Sequence, residues 1–155
     1  MMDMRSNNGP TESNVMPRKR ILVVDDESGS LESIHETLTL HGYESIPCQK
    51  ISAALTMLDS RAALDLAVFD FCMPEMNGLE LHARIRQLRP ELPCIMVTGY
   101  STIENYLKAI NSGVFEYLNK PYRNRELLKV VAAAIKGSPM TGGVAGRSHT
   151  DAFRI

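Results

Sequence analysis

The chain has 155 residues, 44% of them hydrophobic and 23% charged, which predicts one folded domain with a real core and short tails. Seventeen Lys and Arg stand against eighteen Asp and Glu for a net charge of −1. No global field therefore draws nucleic acid or an anionic membrane as a direct partner. Cys48, Cys72 and Cys94 are odd in number, widely spaced and without a C-x-x-C pair, a usage that fits a reducing cytosol better than a disulfide framework. The N-terminus carries Asp3, Asn7, Asn8 and Glu12 and lacks an apolar stretch of signal-peptide type, and nothing approaches the roughly 18 apolar residues of a membrane span. A cytoplasmic protein is expected.

Residues 1–18 are polar and rich in Asn, Ser and Pro, and read as a disordered arm. After the basic run Arg18-Lys19-Arg20, Ile21-Leu22-Val23-Val24 is a continuous aliphatic run, the mark of a strand covered on both faces. It breaks at Asp25-Asp26-Glu27, and Ser28 or Ser30 is the predicted cap of a helix striped by Leu31, Ile34 and Leu38 and closed by His41-Gly42. Tyr43 to Cys48 reads as a weaker second strand, placed at a sheet edge because Pro47 cannot donate to a ladder. Ala54, Leu55 and Leu58 mark a second helix, and Leu64 to Phe69 a third strand ending on Asp70. Asn77-Gly78 opens a helix striped by Leu79, His82, Ile85 and Leu88 that stops before Pro90. Cys94 to Val97 is the fourth strand and closes on Thr98-Gly99. Ile103, Leu107 and Ile110 predict the apolar stripe of a fourth helix ended by Gly113. Val114 to Leu118 is the fifth strand, followed by Lys120-Pro121, and Leu127, Leu128, Val131 and Ile135 stripe the last helix. Residues 137–155 read as a flexible tail around Gly142-Gly143.

Five βα repeats with aliphatic central strands predict an α/β fold, a doubly wound parallel sheet of five strands in one domain over 19–136. The order 2-1-3-4-5, flavodoxin-like, puts the proline-bearing second strand at an edge.

In that order every polar residue that ends an apolar strand falls on one edge of the sheet: Asp25 and Asp26, Asp70, Thr98 and Lys120. Three carboxylates crowded together repel one another unless a cation sits among them. Oxygen donors without a Cys or His cluster favour Mg²⁺ over zinc. A lysine and a hydroxyl beside a metal are equipment for phosphoryl transfer, and a carboxylate can itself be the acceptor. The residues thus read as a Mg²⁺-dependent site at which Asp70 is phosphorylated. Each residue alone has a plainer reading: a helix cap for Asp25 or Asp26, a snorkelling surface lysine for Lys120, a turn residue for Thr98. Their joint placement reverses those readings.

The ordered set Val-Val-Asp25-Asp26-Glu27, Asp70-Phe-Cys-Met73-Pro74-Glu-Met-Asn-Gly78, Val-Thr98-Gly99 and Tyr117-Leu-Asn-Lys120-Pro121 resembles the receiver domain of two-component response regulators over about residues 19–136. The resemblance implies that Asp70 accepts a phosphoryl group from a sensor histidine kinase. It implies that Asp26 coordinates Mg²⁺ directly and Asp25 through water, with Asp70 and the main-chain carbonyl of Cys72 as further ligands. Thr98 and Lys120 would contact the phosphoryl group, and Tyr117 would move inward as Thr98 shifts, remodelling the face of the fourth helix, fifth strand and fifth helix. A cis Lys120-Pro121 bond is expected on the same ground. Tyr106 and Val114 depart from the family's habit, which favours a small residue at the first position and alanine at the second. Cys72 and Tyr100, each two residues beyond a site residue, are expected to shape autodephosphorylation. His35, His41, His82 and His149 read as structural or solvated.

The resemblance further implies no turnover of an external substrate, and a protein partner: a downstream effector or a histidine phosphotransfer protein, with the chain a monomer or a weak phosphorylation-dependent dimer. It fits either a stand-alone receiver or a piece of a longer regulator with residues 137–155 as linker. The competing enzyme reading is a Mg²⁺-dependent phosphatase of the haloacid dehalogenase type. Such an enzyme places a second Asp two residues after the nucleophile, where this chain has Cys72.

Overall fold

Four consecutive aliphatic side chains at Ile21 to Val24 have no solvent-facing side to offer, and each is at most 1% exposed. The computed structural model describes residues 17–99 and 101–137. In it these four belong to the second strand from one edge of a five-stranded parallel sheet ordered β2-β1-β3-β4-β5. The strands are β1 (Arg20–Val24), β2 (Glu44–Cys48), β3 (Leu66–Asp70), β4 (Cys94–Thr98) and β5 (Glu116–Asn119). The helices between and after them are α1 (Ser28–Leu40), α2 (Ile51–Asp59), α3 (Gly78–Leu88), α4 (Ile103–Ser112) and α5 (Asn124–Lys136). This is the doubly wound α/β order expected from the strand pattern, with Pro47 on the edge strand β2, paired in register with Val23.

Period-two alternation divides the core into two layers. Leu22, Val24, Ala67, Phe69 and Met96 face α2, α3 and α4, where Ala54, Leu58, Leu81, Ile85 and Tyr106 meet them. Ile21, Val23, Val68, Ile95 and Val97 face α1 and α5, against Ile34, Leu38, Leu127 and Val131. Each fully buried aliphatic of this kind contributes roughly 1.5–3 kcal/mol, so central strands buried on both faces hold the sheet rigid beneath the loops at its C-terminal edge.

The structure differs from the sequence reading at several boundaries. β3 begins at Leu66, not Leu64, because Asp65 turns its carboxylate onto the Arg20 amide at 2.8 Å at the mouth of the sheet. β5 begins at Glu116, since the Val114 amide still bonds back to Ala109 at the end of α4. The cap of α1 is Glu27, whose longer carboxylate reaches the Ser30 amide at 2.9 Å and leaves Ser28 and Ser30 inside the first turn.

The stripe expected on α4 holds only at Ile110, which is partly buried against the core. Ile103 and Leu107 are 63% and 44% exposed, and the buried face is Tyr106 and Ala109. Tyr106 supplies the bulk and Ala109 the close approach, so the helix turns its ring toward the sheet and leaves Ile103 and Leu107 outside. Val114 and His82, by contrast, are core residues at 6% and 1% exposure. The arm and tail segments 1–16 and 138–155, with His149, lie outside the described residues, as does Tyr100. No helix among the described residues is long and apolar enough to cross a membrane.

Candidate phosphoryl site

Four of the five strands carry one of the predicted site residues at their C-terminal end or directly after it, and the sheet order brings these ends to one edge. Asp25 follows β1, Asp70 closes β3, Thr98 closes β4, and Lys120 comes immediately after β5. Asp25 is 2% exposed, Asp70 9% and Thr98 fully buried, whereas Asp26, next in the chain, is exposed.

The two buried carboxylates are held in matching fashion. One oxygen of Asp25 accepts the Glu27 amide at 3.0 Å and one oxygen of Asp70 accepts the Cys72 amide at 2.9 Å. Each acid thereby fixes the first turn of its own loop. The second oxygen of each meets the same ammonium: Lys120 Nζ lies 3.0 Å from Asp70 Oδ2 and 3.3 Å from Asp25 Oδ2. Burial works against the lysine's charge, but the hydrogen bond to Asp70 and the charges of Asp25 and Asp70 outweigh it and hold its pKa above the ordinary value. Two carboxylates at one strand edge thus share one cation of the chain itself, which offsets part of their charge.

The backbone around this edge is braced. The Lys120 amide donates to the Thr98 carbonyl at 2.9 Å, and the Lys120-Pro121 bond is cis, as expected. On β5, Asn119 lies opposite Thr98 in register, and its side-chain carbonyl accepts the Ser101 hydroxyl. α3 starts against the Asp70 loop through a reciprocal cap in which Asn77 bonds the Glu80 amide and Glu80 bonds the Asn77 amide, both at 2.9 Å. The Gly78 amide reaches the Phe71 carbonyl at 2.7 Å. A Cβ at Gly78 would stand 2.8 Å from Phe71 Cα and 2.9 Å from the Asp70 carbonyl, so the close approach demands glycine.

The structure brings together Asp25, Asp70 and Lys120 and sets Thr98 beside them; Asp26 stands on the same edge, opening onto a cavity of about 300 Å³ walled by Met73, Pro74 and Glu75. Tyr117 lies behind this group, 4% exposed, with its ring edge-on to Tyr106 at 5.4 Å. Burial raises the phenol's pKa, and a hydrogen bond with Ser101 works against that rise. Cys72 is exposed, and its thiol pKa is raised by burial of the sulfur and by Asp70, with a hydrogen bond to Thr98 in partial offset.

Sequence reasoning missed three supports. Gln49 donates to the Asp26 carbonyl at 3.1 Å from the loop after β2. Tyr122 packs near the same charges, its pKa raised by burial. Gly78 was marked as a helix start, not as a contact. Only the last had a signal, the glycine directly after Asn77.

The donor chemistry suits a hard cation. The carboxylates are oxygen donors and no histidine stands among them, although among the described residues no three His, Cys, Asp or Glu side chains are close enough to enclose a metal by themselves. Mg²⁺ needs no such cage, since it keeps several waters and accepts one or two carboxylates.

Comparison with known proteins agrees with this geometry. Residues 21–132 match the family model described as the response regulator receiver domain. The chain is 35% identical over 130 residues to the response regulator protein FleR of Pseudomonas aeruginosa, covering 81% of this chain and 27% of that protein. It is 30% identical over 119 residues to the response regulator protein TodT of Pseudomonas putida, covering 77% of this chain and 52% of that one. The chain thus spans between about a quarter and about half of the length of these relatives. A CheY-like response regulator receiver domain protein from Methanospirillum hungatei superimposes with a TM-score of 0.73 at 35% identity, over 78% of this chain and 96% of that one. The chain therefore belongs to the response regulator receiver domain family of two-component systems.

Proposed function

We propose that this domain is a switch set by phosphorylation of Asp70, with the phosphoryl group supplied by a sensor histidine kinase. The observation that carries the reading is the shared lysine: Lys120 Nζ at 3.0 Å from Asp70 and 3.3 Å from Asp25. An ammonium already seated on the acceptor's oxygen is positioned to neutralise the charge that a phosphoryl group brings. A carboxylate oxygen of Asp70 forms the new bond to phosphorus as the bond from phosphorus to the donor's imidazole nitrogen breaks, and the departing imidazole keeps the electron pair. Thr98, buried at the end of β4, offers its hydroxyl to the phosphoryl oxygens. Mg²⁺, held by Asp26, Asp70 and the main-chain carbonyl of Cys72, with Asp25 acting through water, would supply charge neutralisation at the same oxygens.

The domain turns over no external substrate in this reading. A phosphatase of the haloacid dehalogenase type needs an acid two residues beyond the nucleophile, and Cys72, with its raised pKa, is a poor one. The readout is a protein contact, with a downstream effector or a histidine phosphotransfer protein, on the face built from α4, β5 and α5, where Ile103 and Leu107 stand exposed.

Incubation with acetyl phosphate and Mg²⁺, followed by intact mass, tests this directly. One added phosphoryl group in the wild type and none in Asp70→Asn is the expected result. Phosphorylation of Asp70→Asn to the same extent overturns the assignment, and sustained hydrolysis of p-nitrophenyl phosphate by the wild type would favour the phosphatase.

A further inference from the structure

Gln49, directly after β2, reaches across to the loop that carries Asp25 and Asp26. Its side-chain amide donates to the Asp26 carbonyl at 3.1 Å. The other end of the same peptide unit, the Glu27 amide, donates to Asp25 Oδ1 at 3.0 Å. The Asp26-Glu27 peptide is therefore gripped at its oxygen and at its nitrogen. Because a peptide unit is planar, these two bonds set the direction in which it faces. One residue earlier the loop is tied to the same strand end, where the Asp25 amide donates to the Cys48 carbonyl at 3.2 Å. Two adjacent residues, Cys48 and Gln49, thus anchor two adjacent residues that follow β1. The acids differ in how they are held. Asp25 and Asp70 each bond an amide and Lys120 through the side chain. Asp26 is exposed and stands on the cavity of about 300 Å³ that Gln49 and Lys50 also line, so its hold comes through the main chain.

We propose that Gln49 is a positioning residue for Mg²⁺: by holding the Asp26-Glu27 peptide it aims Asp26 at the metal before the metal arrives. The proposal rests on the reading of this edge as the Mg²⁺-dependent phosphorylation site of Asp70. A bond that orients a metal ligand from outside raises affinity, because the ligand is ordered on folding and not at the moment of binding. Without Gln49 the peptide keeps one grip, on an Asp25 oxygen. The donor carries the effect, so methionine, similar in length but with nothing to donate, should fail as alanine does.

The test uses the full chain labelled with ¹⁵N and titrated with MgCl₂, followed at the Glu27 amide, in the wild type, Gln49→Met and Gln49→Ala. Urea midpoints of the metal-free proteins are measured beside it. Half-saturation should need about two- to tenfold more Mg²⁺ in both variants, the worth of one neutral hydrogen bond. Phosphorylation by acetyl phosphate should slow by the same factor at limiting Mg²⁺ and recover the wild-type rate at saturating Mg²⁺. Unchanged half-saturation in both variants overturns the proposal even where the urea midpoint falls, since that pattern belongs to a bond that only stabilises the fold. Wild-type affinity in Gln49→Met alone overturns it as well, because side-chain length and not the donor would then set the loop. So does a rate deficit that persists at saturating Mg²⁺. A wild type that binds Mg²⁺ yet takes no phosphoryl group overturns the phosphoacceptor reading instead, while the half-saturations still decide the role of Gln49. A wild type whose Glu27 amide and acetyl phosphate reaction both ignore Mg²⁺ overturns the metal site and this proposal together.

Discussion

Asp70 and Lys120, fifty positions apart in the chain, meet at 3.0 Å, and the same ammonium reaches Asp25 at 3.3 Å. One lysine is therefore shared by two carboxylates that are 2% and 11% exposed at the side chain, while itself only a quarter exposed. Removing a partner from such a group leaves buried charge uncompensated, which costs more than the pair itself is worth.

Lys120→Met should accordingly destabilise the domain by about 2 kcal/mol at neutral pH. The pH dependence follows from the raised pKa of Lys120. Its contribution is complete below the unfolded lysine's value near 10.5 and is lost as pH rises from there through the higher folded value. The burial-raised phenols of Tyr117 and Tyr122 add a loss of the same sign above pH 10. Urea midpoints between pH 8 and 12 should fall for the wild type and fall less for Lys120→Met; parallel curves would show that the ion pairs carry no net stability.

Gly78→Ala is expected to cost about 1–3 kcal/mol, because the new methyl would meet Phe71 Cα at 2.8 Å and the Asp70 carbonyl at 2.9 Å, and neither backbone atom can swing aside. The helix start must then shift away from the Asp70 loop. Slower phosphorylation by acetyl phosphate should accompany the lowered urea midpoint. Gly42→Ala is the contrast, since nothing lies within 4 Å there and only the positive φ of 91° resists the change.

The strand ends were legible in the sequence because an apolar run broken by one acid or lysine is hard to mistake, and the sheet order follows from the βα repeat. Asp25, Asp70, Thr98 and Lys120 needed nothing more. Tyr106 stands out in the sequence only as a departure from habit, and of the stripe through Ile103, Leu107 and Ile110 only Ile110 packs against the core. Helical spacing alone does not separate two overlapping faces when one carries aliphatics and the other an aromatic with small residues. Gly78 and Gln49 act through backbone approach and a carbonyl, which side-chain pattern does not encode. The cap at Glu27 escaped because the usual preference for short side chains gave way to a longer carboxylate that reaches the same amide.

Arg89 ends α3 and ties it to α2. Its guanidinium donates to the carbonyls of Leu58 at 3.0 Å, Ser60 at 2.9 Å and Ala62 at 2.8 Å, groups left over where α2 stops. Arg89→Ala should cost on the order of 2–3 kcal/mol, as bonds to a charged donor do. Lysine has no planar fork and should recover little of the loss. Thermal unfolding of the two variants checks this, and full recovery by Arg89→Lys would reduce the interaction to simple charge.

His82 is expected to set the acid limit. It is 1% exposed between α3 and α4, stacked on Phe69 at 6.4 Å, with Nδ1 3.3 Å from the Ser112 hydroxyl and Nε2 without a partner. Burial, helped by the nearby Arg86 charge, lowers its pKa from 6.5 to about 4. The folded state therefore refuses a proton that the unfolded chain accepts. Stability is full above pH 6.5 and declines as pH falls through the window from 6.5 to 4, by about 3 kcal/mol if this group acts alone. His82→Phe keeps a ring of similar size against Phe69 and has nothing to protonate. Its loss of urea midpoint between pH 7 and 4 should be visibly smaller than that of the wild type. Identical losses would show that His82 does not set the acid limit, and a steeper loss in the variant would mean that the hydrogen bond to Ser112, not the burden of a buried imidazole, dominates at this position.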